Sequence, residues 1–309
     1  MSGERPSRWN IKVDEVNATM TDVFSGGACN IRDENGALLR NRERDMINEW
    51  LQSLGVRFFD PQIHPDTHGE EYHYPKHSVV EMRAREAAQV NLYEISPRTF
   101  GGITSFEVAI DSFIAKEPTV IYYSDGDPSQ DTLPPYSKDG HPLFKPLGIP
   151  DNPDARPAHY KEFIKNANNM RKYVLRFAEQ MDALTVTFGE KSYEGDIVIT
   201  PARMHAADMF QGIVHAARGH RVVINFTGGD TAQDKYGNPV MIVPQDLPEM
   251  HKRALLDQYI DEGNTLRRLI ASMMEVSVFT RIVYTQQAAI NALEELLRIK
   301  EIIKVSPSN

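Results

Sequence analysis

Apolar residues along the first 125 positions follow two different periods. In residues 19–24, 56–60, 90–96 and 119–123 they form short β-branched and aromatic runs, which predict four strands. Between the first two, Leu38, Leu39, Met46, Ile47, Trp50, Leu51 and Leu54 recur at helical spacing. They predict a helix over residues 34–54, with Gly55 where a C-terminal cap belongs. The same periodicity predicts helices over 78–88 and 103–115. Strict alternation of strand and helix points to an α/β domain, a Rossmann-like or flavodoxin-like parallel sheet flanked by helices. Ligands of such sheets sit beyond the carboxyl ends of the strands, so the loops after residues 24, 60, 96 and 123 are expected to converge.

Residues 126–157, entered through DGDPSQDTLPPYSKDG, are rich in Pro, Gly and Asp and read as a surface loop or lid. They divide a first domain, residues 1–125, from residues 158–309. The second stretch predicts helices over 159–181 and 202–218 and strands over 183–188, 196–200 and 221–226, so the sheet is expected to continue. A helical C-terminal extension begins with residues 248–261 and closes with residues 285–304, where Ile290, Leu293, Leu296 and Leu297 form one stripe. These helices are expected either to cover the sheet or to build a homo-oligomer interface.

Composition narrows the function classes. A chain of 309 residues with 41% hydrophobic content supports one large core or two modest ones. Its formal net charge of −9 leaves no surplus of Lys and Arg for a phosphate backbone, which argues against a nucleic-acid polymer as partner. The single cysteine, Cys29, cannot form an intrachain disulfide, as suits a reducing compartment. Residues 1–10 carry no apolar core of a secretory signal, and no apolar run approaches the ~18 residues of a membrane span. A cytoplasmic protein with no membrane partner is expected.

Candidate chemistry concentrates in residues 91–111, NLYEISPRTFGGITSFEVAID. Arg98, Thr99, Phe100, Gly101 and Gly102 lie between a strand and a helix N-terminus, where unpaired N–H groups favour an anion or polar ligand group. Glu107 follows about a turn later. A carboxylate there can attack a sugar anomeric carbon, as retaining glycosyl chemistry does with a second acid group at hand. Its plainer reading is a solvent-facing helix residue. Thr99 and Ser105 are placed to orient Glu107 or sugar hydroxyls, and equally to cap the helix. His64, His68, His73 and His77, beside Glu70 and Glu71, are competent metal ligands but follow no metal-site spacing, so their segment is expected to contact substrate rather than a metal. Thr227, Gly228, Gly229 and Asp230 read as a turn that could reach the same edge.

Three separated stretches carry a resemblance. SGGACN at 25–30, FFDPQ at 58–62 and AREAAQVNLYEISPRTFGGITSFEVA at 84–109 resemble the nucleoside 2-deoxyribosyltransferase-like proteins in order and spacing. The resemblance implies that Glu107 is the nucleophile, that Gly26, Gly27 and Asn30 lie near the substrate, and that Asp60 and Gln62 approach the same pocket. The plainer role of the glycines is turn chemistry. An aspartate that handles protons on the base in these proteins aligns with Gln89, which can hydrogen-bond a nucleobase but cannot act as an acid. The acid is then expected from Asp60, Asp125 or water. The implied activity is N-glycosidic bond cleavage or transfer on a nucleoside, deoxynucleoside or nucleotide, without a cofactor. Two alternatives are a non-catalytic nucleotide-binding or regulatory protein of the same fold, and a phosphoribohydrolase whose GGxGT-containing turn is matched only in part by FGGITSFE at 100–107.

Overall fold

The first strand, β1 (Val23–Gly27), runs on through Ser25, Gly26 and Gly27, which the sequence had suggested as a turn. A short antiparallel hairpin follows, β2 (Ile31–Arg32) with β3 (Leu38–Leu39), and then helix α1 (Arg42–Ser53). The helix thus begins later than residue 34, because Leu38 and Leu39 belong to the hairpin although they fit its spacing. Asn41 is its N-cap, with Oδ1 accepting from the N–H of Arg44 at 3.2 Å. Glu43 and Asp45 in the first turn suit the positive end of the helix dipole. Gly55, with φ of 72°, stops the chain where the sequence placed a cap. Next come β4 (Phe58–Phe59), α2 (Tyr74–Ala87), β5 (Val90–Ile95), α3 (Gly102–Ile110) with a π turn at Asp111–Ala115, and β6 (Thr119–Tyr123).

The computed structural model describes residues 21–27, 31–32, 38–63, 74–96, 99–124, 138, 143, 152–160, 163–164, 168–170, 173, 181, 184–187, 195–199, 206–225, 231–233, 239–241, 246–275 and 277–304. The chain forms two units, one of residues 1–99, 117–133 and 278–309, the other of residues 100–116 and 134–277. These divisions differ from those expected at 125 and 157. The C-terminal segment returns to the first unit, and α3 belongs to the second.

In the first unit five strands form one parallel sheet in the order β12-β6-β5-β1-β4, where β12 is Thr280–Val283. Counted by appearance within this sheet, the order from the β4 edge is second, first, third, fourth, fifth, the flavodoxin-like arrangement. The α/β parallel sheet expected from the alternating pattern is therefore present. Its fifth strand was not foreseen, because TRIV is only four residues long and half polar. Helix α6 (Gln286–Ile299) follows, capped by Thr285, whose hydroxyl accepts from the N–H of Ala288 at 3.2 Å. Its stripe Ala289, Leu293, Leu296 and Leu297 packs with Ile47 and Leu51 of α1 over Val23, Val90, Leu92, Val120 and Tyr122 of the sheet. This helix covers the sheet, one of the two roles considered for it. Burying a single Leu contributes roughly 1.5–3 kcal/mol, so the stripe is a main source of the unit's stability.

The second unit has its own three-stranded parallel sheet, in the order β7-β9-β8, with β7 at Leu184–Thr187, β8 at Ile197–Ile199 and β9 at Val222–Asn225. Of the strands expected to continue the first sheet, those at 184–187, 197–199 and 222–225 pair with one another instead, and β12 is the later strand that joins it. Helix α4 (Ala206–Ala217) links β8 to β9 and buries Met209, Phe210, Ile213 and Val214. A hairpin of β10 (Thr231–Gln233) and β11 (Pro239–Met241) precedes α5 (Glu249–Met274). That helix passes residue 261 without a break, with Gly263 buried inside it. Among the described residues no helix is long and apolar enough to cross a membrane.

Candidate functional site

In the first unit's sheet the chain moves from β1 outward to β4 and then returns to β5 on the other side of β1. The switch point lies between β1 and β5, where open parallel sheets bind ligands beyond the carboxyl ends. Gly27 pairs in register with Glu94 there. On the sheet face covered by α1 and α6, three neighbouring strands turn from apolar to polar at this end: Val23 gives way to Ser25, Leu92 to Glu94, and Tyr122 to Ser124. Ser25, Glu94 and Ser124 are all buried.

One hydrogen-bonded network joins these positions to the start of α1. The Ser25 hydroxyl donates to Asn48 Oδ1 at 2.7 Å, and Asn48 Nδ2 donates to Asp60 Oδ2 at 2.8 Å. Asp60 also accepts from the N–H of Gln62 at 2.9 Å and faces Arg44 Nη2 at 3.2 Å. Gln62 Oε1 accepts from the N–H of Asn41 at 2.9 Å, while its Nε2 donates to Asp45 Oδ1 at 3.3 Å. The Asn41 amide and the Ser124 hydroxyl donate to the two oxygens of Glu94. Deeper in, the Tyr122 hydroxyl donates to Glu43. The arginine and its carboxylate partner have side-chain exposures of 0% for Arg44 and 3% for Asp60, so their interaction is poorly screened. This edge offers carboxylate, amide and hydroxyl groups of the kind that recognise sugar hydroxyls and base edges.

The residues implied as substrate contacts fall into distinct groups. Asp60 and Gln62 are joined at this edge with Ser25 and Asn48, as the expected convergence of strand-end loops requires, and both hold internal hydrogen bonds. Gly26 has a packing reason to lack a side chain: a Cβ there would stand 2.6 Å from the Phe24 ring and 2.7 Å from that of Tyr93. Gly27, at φ of 140°, would bring a Cβ within 2.5 Å of the Glu94 carbonyl oxygen and 2.7 Å of Arg44 Nη1. Neither glycine acts as a plain turn.

Gln89 is exposed, just before β5, and its N–H donates to the Asp22 carbonyl at 3.0 Å, at the amino-terminal edge of the sheet. With ~3.3 Å of rise per residue, β5 separates it from the switch point by well over 10 Å. Near Gln89, Asp22 is pushed up by burial, yet the hydrogen bonds and charge of Arg57 outweigh this and hold its carboxyl below the ordinary value.

In the second unit Glu107 lies within α3 and is 6% exposed, which overturns its plainer reading as a solvent-facing residue. Gly101, in the left-handed region at φ of 64°, is the N-cap of α3 and provides no side-chain cap. The Ser105 hydroxyl donates to the Gly101 carbonyl at 2.7 Å, back along its own helix. A second carboxyl, Glu262 on α5, accepts from the N–H of Ala206 at the start of α4. Burial pushes it up to about 8, with the Ala206 N–H opposing and the charge of Asp208 adding.

Asn30, Arg98, Asp125, Cys29, residues 227–230, and His64, His68 and His73 with Glu70 and Glu71 lie outside the described residues. His77 is buried in α2. Sequence reasoning passed over Asn41, Arg44, Asn48, Glu94 and Ser124, although the loss of apolar alternation at the last positions of β1, β5 and β6 was a usable signal. No family model, curated protein or solved structure matches the chain.

Proposed function

We propose that this protein cleaves or transfers the N-glycosidic bond of a nucleoside, deoxynucleoside or nucleotide. The observation that carries the proposal is the polar strand edge at the β1/β5 switch point, where a ligand site is expected for this sheet order and where hydroxyl, amide and carboxylate groups gather. Two of the three stretches that resemble nucleoside 2-deoxyribosyltransferase-like proteins, SGGACN and FFDPQ, supply Ser25, Asp60 and Gln62 to it. The resemblance assigns attack on C1′ to Glu107, and the burial of that carboxylate favours a nucleophile kept from bulk water. Attack forms a Glu107–C1′ ester as the C1′–N bond breaks, and the base leaves with its bonding pair and takes up a proton. Water then completes hydrolysis, or a second base completes transfer.

The test is direct. The full chain is incubated with a panel of ribo- and deoxyribonucleosides and their 5′-monophosphates, and free base is resolved by chromatography. Wild type is expected to release base from at least one member, and Glu107→Gln to lose at least 100-fold of that rate, on the order of a removed nucleophile. Unchanged release by the variant rejects Glu107. Ligand-induced thermal stabilisation without any release would instead mark a nucleotide-binding protein.

A further inference from the structure

We propose that Glu94 is a positioning residue for the substrate subsite at the switch point, a role that rests on the function proposed for that edge. Val90 and Leu92, on the same face of β5, are core residues under α1 and α6, and an aliphatic side chain at position 94 would continue that pattern. The chain instead buries a carboxylate to 1% exposure, which costs several kcal/mol of desolvation before its partners compensate. Those partners are informative. Asn41 is the N-cap of α1, and its amide donates to one Glu94 oxygen while its own Oδ1 accepts from Arg44. Ser124 directly follows β6, and its hydroxyl donates to the other oxygen. One carboxylate therefore holds the start of α1 and the exit of β6 against the end of β5. Gly27 permits this, since any Cβ on it would strike the Glu94 carbonyl. Ser25, Glu94 and Ser124 depart from the apolar pattern together, on one face and at one end, which is where a ligand edge departs from rules that the rest of the sheet obeys.

Two substitutions separate positioning from stability. In Glu94→Gln the side-chain carbonyl still accepts from Asn41, and the new NH2 donates to Ser124, whose hydroxyl can turn to accept. Glu94→Leu fits the apolar face but leaves the Asn41 amide and the Ser124 hydroxyl without this acceptor, so its melting temperature is expected to fall, and kinetics are compared well below it. Base release from the best substrate of the nucleoside and monophosphate panel is followed for KM and kcat, with melting temperature and ligand-induced thermal shift measured alongside. Glu94→Leu is expected to raise KM by about tenfold or more, with kcat changed by less than about threefold, because misplacing substrate contacts weakens binding. Glu94→Gln is expected to restore KM to within about threefold of wild type. A wild-type KM in Glu94→Leu overturns the proposal, as does a loss in both variants that simply tracks their melting temperatures. If wild type gives a thermal shift without base release, the glycosidic reading fails while the shift in Glu94→Leu still decides this proposal. Neither shift nor release with any panel member overturns both.

Discussion

Replacing Asp60 with alanine tests whether the strand edge is held by the contacts described. The Asp60 carboxylate receives Asn48 Nδ2 at 2.8 Å and the Gln62 N–H at 2.9 Å, and faces the fully buried Arg44 guanidinium at 3.2 Å. Removing it deprives two buried donors of their acceptor and takes a counter-charge from Arg44. Breaking a buried ion pair from one side costs about 3–5 kcal/mol, far above the ~0–1 kcal/mol of a surface pair. With a urea dependence of about 2 kcal/mol per molar, the midpoint for the first unit should fall by about 2 M. The assay is urea unfolding of the full chain, with Trp50 of α1 as fluorescent reporter. A second variant separates charge from packing: Arg44→Met in the Asp60→Ala background removes the cation whose counter-charge was taken and should regain part of the loss. A loss below about 1 kcal/mol, or no recovery in the double variant, would refute the reasoning and free Asp60 for a role confined to substrate.

Two further outcomes concern single positions. Gly27→Ala should destabilise by about 2–3 kcal/mol, because its Cβ meets backbone at 2.5 Å, whereas Gly55→Ala, in open space at φ of 72°, should cost only about 1 kcal/mol; equal losses in urea unfolding would contradict the close approach. Glu262 has a folded-state value of about 8 against an ordinary 4.5, so its protonated form stabilises the fold fully below 4.5 and that contribution is lost as pH rises through about 8. Wild-type stability should therefore carry a downward slope between these limits, at most about 1.4 kcal/mol per pH unit, and Glu262→Gln should flatten it; an unchanged slope in melting temperature from pH 5 to 9 would rule out this group as its source.

How much of this was legible before the structure depends on the range of the interactions involved. Residues 56–60, 90–96 and 119–123 overlap β4, β5 and β6 because β-branched and aromatic runs mark strands locally. Gly55 was recognisable as a helix stop because a cap is a local event. Strand β12 was not legible: four half-polar residues become a strand only because β6 stands beside them, with the Thr119 N–H donating to the Phe279 carbonyl at 2.9 Å. Helix α5 runs on to Met274, past the 248–261 expected for it, and buries Leu266, Ile270 and Met274 in its later turns.

The candidate site divides along the same line. Sequence alone determined the α/β alternation, the stripe of α6, and the notice drawn to Asp60, Gln62 and Glu107, because periodicity and short motifs survive in one dimension. Tertiary structure alone decided that Gln89 lies at the amino-terminal edge of the sheet, that Glu107 is buried, and that Glu94 joins Asn41 to Ser124. Those facts depend on which strands become neighbours. Residues 41, 94 and 124 are far apart in the chain, and only the strand order β6-β5-β1 brings their side chains within hydrogen-bond reach.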